Sequence, residues 1–164
     1  MNRRNLLKAA SAIAITGLTT ALPRQTTYAH KKEAMRELHL YAGENYFRWE
    51  FKGSDGKTVK VDKNGAMKLK VGEILLLTAH CEGKFTHSIH VGRKPKLDEQ
   101  RFEEAPFEPF LAFTTLEPKG FAEIELLVPE KAIGEWELGD FSLKSAGGPT
   151  FYAEGMKAPL VVEK

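Results

Sequence analysis

Ligand-type residues run out early in this chain. Among its 164 residues there is a single cysteine, Cys81, and all five histidines, His30, His39, His80, His87 and His90, lie at or before residue 90. One cysteine excludes an internal disulfide and any redox chemistry of the dithiol type. No basic stripe interleaved with aromatic residues is present, so nucleic acid is not an expected partner. No Gly-x-Ser-x-Gly elbow occurs, and no carboxylate pair stands out from the many surface acids, so a hydrolytic enzyme is not expected. Internal repeats and low-complexity linkers are also absent.

Long apolar runs are scarce as well. The longest, roughly Ala9 to Leu22, is interrupted and shorter than the ~20 residues that span a bilayer. Arg3, Arg4 and Lys8 precede it, and Thr27-Tyr28-Ala29 follows with small residues where a signal peptidase reads. Residues 1–29 therefore read as a cleaved export signal. NRRNLLK resembles a twin-arginine motif, and Arg24 before the cut suits that route. The expected location is the periplasm, with no membrane span once the signal is removed. Those residues hold four basic groups and no acidic one, so the formal charge falls from +2 to about −2 for residues 30–164. The basic pI belongs to the signal.

What remains, 42% hydrophobic and 28% charged over the whole chain, suits one globular domain over residues 30–164. Strand signals dominate it. Residues 38–41 and 46–51 are short aromatic-rich runs, and Ser54-Asp55-Gly56 reads as a turn. Thr58 to Val61 runs into Lys63-Asn64-Gly65, a hairpin signal before Met67 to Val71. Ile74 to Ala79 is continuously apolar, as expected of a strand buried on both faces. Further strands read at 88–91, 111–116, 121–128, 134–138 and 159–163. Short strands at regular spacing, most separated by Gly or Pro, predict an all-β sandwich or barrel. Residues 93–109, RKPKLDEQRFEEAPFEP, depart from the pattern: they are charged, carry prolines at both ends, and predict a solvated crossover with one short helix around Asp98 to Glu104.

Two stretches carry a resemblance. AMKLKVGEILLLTAHCEGKFTHSIHVG, residues 66–92, resembles the middle of exported cupredoxins of the plastocyanin and azurin kind. GEWELGD and FYAEGM, within residues 134–156, resemble the strand and closing loop that hold the family's copper ligands. The resemblance implies a Greek-key β-sandwich with a type 1 copper pole, built from two histidines, a cysteine thiolate and a weak axial methionine. On that correspondence His87 and Met156 stand at ligand positions. Asp140 stands where the cysteine would be, Phe151 replaces the second histidine, and Cys81 falls where the family usually has asparagine. Ser142 to Pro149 also lengthens the closing loop. A standard type 1 site cannot form from the usual positions.

Any substitute must come from residues 80–90. His87, Cys81, Met156 and Asp140 form one candidate set for copper, with thiolate and thioether suiting Cu(I) and imidazole suiting Cu(II) or Zn. His80 and His90 are a secondary pair of donors, although strand alternation turns His80 away from Cys81 and His90 away from His87. His30, as a mature amino terminus, is a further Cu(II) chelator. Each candidate has a structural reading too: His87 as a hydrogen-bonded residue at a loop end, Cys81 as a small buried hydrophobe, Asp140 as a turn residue, and Phe151 as an apolar plug. Two functions follow. One is a copper-binding protein for electron transfer or copper handling, working with a periplasmic redox partner. The other is a metal-free accessory subunit that docks through a surface around Phe151, Tyr152 and Met156.

Overall fold

The computed structural model describes residues 35–107 and 112–164, and these build two facing sheets. The strands in chain order are β1 (Met35–Ala42), β2 (Phe47–Lys52), β3 (Thr58–Val61), β4 (Met67–Lys70), β5 (Ile74–Cys81), β6 (His87–Lys96), β7 (Arg101–Glu104), β8 (Ala112–Leu116), β9 (Phe121–Leu127), β10 (Gly134–Asp140) and β11 (Lys157–Glu163). A single 3-10 turn, Glu130–Ala132, is the one helical element among the described residues. One sheet has the order β3-β2-β1-β5-β9 and the other β4-β11-β10-β6-β7, with β8 also pairing β6. The pairings β1–β5 and β4–β11 are parallel and the rest antiparallel. The expected all-β sandwich is present. Residues 1–29, including the predicted signal, lie outside the described residues, as does His30.

Alternation explains the core. Along β1, Leu38, Leu40 and Ala42 are buried while Glu37, His39 and Tyr41 face outward; Leu75, Leu77, Ala79 and Cys81 do the same on β5. Trp49 and Phe47 from β2 and Ile89, Leu138 and Leu160 from the facing sheet complete one continuous cluster. On the outer face of β5, Ile74, Leu76 and His80 are half-buried and Thr78 is buried, so the apolar run is covered less fully on that face than on the core side.

Two expectations need correction. Lys63-Asn64-Gly65 does not close a hairpin: β3 pairs with β2, and β4 pairs with β11 in the other sheet. Asn64, with φ of 57°, is fixed instead by reciprocal bonds to Phe47, whose N–H donates to Oδ1 at 2.9 Å and whose carbonyl accepts from the Asn64 N–H at 2.8 Å. A turn residue in the left-handed region serves here to carry the chain between sheets. Residues 98–104 form no helix either. A turn is followed by β7, which pairs back on β6 through Arg93↔Glu104, Pro95↔Phe102 and Lys96↔Arg101. The reason is Phe102, 3% exposed, which folds onto the outside of its sheet against Phe141 and Tyr152. Its ring meets both edge to face, at centroid distances of 5.0 and 5.7 Å, and those two stack on each other at 5.0 Å. Burying an aromatic there outweighs the helix propensity of its charged neighbours.

Candidate functional site

β6 and β10 meet at the pole where ligands were expected. His87 opens β6, and Asp140 ends β10 in the last ladder pair between the two strands, Asp140↔Ile89. Both side chains are wholly buried, with His87 Nδ1 and Asp140 Oδ2 2.5 Å apart. A carboxylate only accepts, so the ring N–H donates. The other oxygen, Oδ1, accepts from the backbone N–H of Ser88 at 3.0 Å and of Ser142 at 2.9 Å. Asp140 thus ties the first two residues of β6 to the start of the closing loop, through three donors. His87 Nε2 is buried with no hydrogen-bond partner.

The rest of the pole is apolar. Phe151 and Met156 are fully buried, and Phe151 packs on His87 at 5.5 Å and on Phe85 at 5.4 Å between centroids. Phe85 in turn holds the thiol: Cys81 Sγ donates to its carbonyl oxygen at 3.2 Å, with the Gly83 carbonyl at 3.8 Å. Met156 is anchored through its peptide group, whose N–H donates to the Phe151 carbonyl at 2.9 Å. Tyr152 is 8% exposed and its hydroxyl donates to Glu137; burial, reinforced by that carboxylate, raises its pKa. The surface expected around Phe151, Tyr152 and Met156 is therefore interior, and is not available for docking.

His80 and His90 lie elsewhere. His80 sits on the outer face of β5, opposite Cys81, as alternation requires, and its ring stacks on Tyr41 at 4.7 Å. His90 faces outward from β6, bonded to Ser88 Oγ at 3.0 Å and edge-on to Phe141 at 5.4 Å. Burial depresses the pKa of both, and for His80 the neighbouring His39 adds to the effect. The pairing of His39 with His80, whose ring nitrogens are 3.1 Å apart, was not foreseen, because nothing in the sequence reports that β1 and β5 run side by side.

Most of the candidate copper donors at the pole are engaged with one another or with the backbone. His87 Nδ1 carries the N–H that Asp140 accepts, so only Nε2 of that ring is open to a ligand. Asp140 already has both oxygens engaged, the thiol is turned to a backbone carbonyl, and the buried Phe151 ring packs against His87. Among the described residues no group of three or more His, Cys, Asp or Glu side chains is placed to hold a metal ion.

Two facing sheets in this strand order define a cupredoxin-like fold. Solved structures agree on that fold. Reduced auracyanin from the photosynthetic bacterium Roseiflexus castenholzii matches with a TM-score of 0.52 and 16% identity, over 80% of this chain and 98% of that one. Reduced rusticyanin matches at 0.51 and 17% identity, over 79% and 80%. Auracyanin B matches at 0.50 and 13% identity, over 82% and 93%. No family model and no curated protein matches the chain.

Proposed function

We propose that this chain is an exported cupredoxin-fold protein that works without copper at its pole, as an accessory or binding subunit of a periplasmic assembly and not as an enzyme. The single observation carrying this is the His87–Asp140 bond, closed over by Phe151, in the place where the fold's electron carriers keep their metal. A fully satisfied carboxylate and a buried aromatic ring make that end of the sandwich a structural plug. The N-terminal signal supports export, and no helix among the described residues is long and apolar enough to cross a membrane.

A second reading, copper handled at a non-standard site of His87, Cys81, Met156 and Asp140, is favoured by one feature: His87 Nε2 is buried and partnerless. The two readings separate in one experiment. Protein recovered from the exported fraction, its mass giving a start at His30, is loaded with Cu(II) and its visible spectrum recorded. Under the first reading no thiolate-to-copper band develops. A band that vanishes in both Cys81→Ser and His87→Ala would establish the second reading and sink the first.

A further inference from the structure

We propose that the outer face of the β1–β5 pair carries a site for one divalent transition-metal ion, Cu(II) or Zn(II), held by His39 Nδ1 and His80 Nε2. This site is separate from the pole: it lies on the opposite face of β5 from Cys81 and does not depend on the reading above.

The spacing carries the argument. His39 Nδ1 and His80 Nε2 are 3.1 Å apart, and at metal–nitrogen distances of ~2.0–2.1 Å two donors so placed subtend about 98°, between octahedral and tetrahedral angles. Both histidines stand on the two central parallel strands of their sheet, in register through Tyr41↔His80 and His39↔Thr78. Their backbones are therefore fixed, and only ring rotation is needed. Tyr41 supports the site from one side, stacked on His80 at 15° between planes and itself covered by the Arg48 guanidinium at 4.0 Å. Arg48 and Lys60 are matched by Glu50 and Glu82, so the surroundings do not repel a cation.

In the metal-free protein the rings meet nose to nose, with centroids 5.4 Å apart, and share one N–H···N bond. Binding replaces that bridge. The proton moves through solvent to the far nitrogen of its own ring, each ring swings so that its lone pair converges on the ion, and water completes the coordination. Neutral imidazole suits both ions, and Cu(II) binds more tightly than Zn(II) in a site of this kind. Both rings are half-buried, which leaves an open side for entry.

The test titrates zinc chloride into the full chain, followed by calorimetry and by NMR of the imidazole nitrogens. One ion is taken up per chain, with shifts at His39 Nδ1 and His80 Nε2. His39→Ala and His80→Ala each weaken binding about tenfold or more, a loss at least as large as removing a supporting group around a metal ligand. His30→Ala and His90→Ala leave it unchanged. His80→Phe keeps an aromatic ring on Tyr41 while removing the donor, so loss of binding in that variant cannot be ascribed to unfolding. Undiminished binding in His39→Ala and His80→Phe, shifts confined to His30 or His90, or no uptake at millimolar zinc would each overturn the proposal.

Discussion

At the scale of single residues, the pole shows how a charged group can be kept in an apolar interior. Asp140 is tolerated because both its oxygens are answered, by one ring N–H and two backbone N–H groups. Removing His87 leaves the carboxylate buried with an unmet oxygen. His87→Ala is therefore expected to destabilise the fold by about 3–5 kcal/mol, the range for breaking a buried pair, read by urea unfolding; a cost below ~1 kcal/mol would show that Asp140 gains water or another partner. The resemblance of GEWELGD singled out Asp140 as a candidate site residue. What it bonds to was not legible, since His87 and Asp140 are 53 positions apart and meet only through the β6–β10 register.

Elements were legible where local composition defines them: β1 and β2 were read from short aromatic-rich runs, β3 from alternation and β5 from an apolar run. The failures share a cause. β7 and the route from β3 to β4 are decided by contacts with distant residues, and local composition is silent about those. Phe102 was hidden in a charged segment, yet the close approach of β7 to β6 had a sequence trace in Gly92. A Cβ built there would stand 2.4 Å from the Glu104 carbonyl oxygen and 2.4 Å from the Phe102 Cβ. Gly92→Ala must therefore push β7 off the sheet. We expect a loss of about 1–3 kcal/mol, as for overpacking, together with faster hydrogen exchange at residues 101–104; unchanged exchange there would show that β7 adjusts without lifting.

For the whole molecule, protonation sets a limit on the acid side. His80 and His90 have folded pKa values below the ordinary histidine value, chiefly through burial. The unfolded chain then binds more protons than the folded one between those depressed values and ~6.5. Stability is complete above that pH and declines as pH falls through it. His90→Gln should flatten the decline, measured as melting temperature between pH 7.5 and 5; an equally steep fall in the variant would assign the effect to other groups. The strand order has a kinetic counterpart. β1 lies in the middle of its sheet beside β5, more than thirty residues later, and β4 waits for β11, some ninety residues further on. Neither sheet can zip up from a local hairpin alone, so loop closure precedes most of the reward and folding should be slow for a chain of this size. Until Lys157–Glu163 has been synthesised, the edge of β4 has no neighbour, and the nascent chain would need shielding from aggregation over that interval.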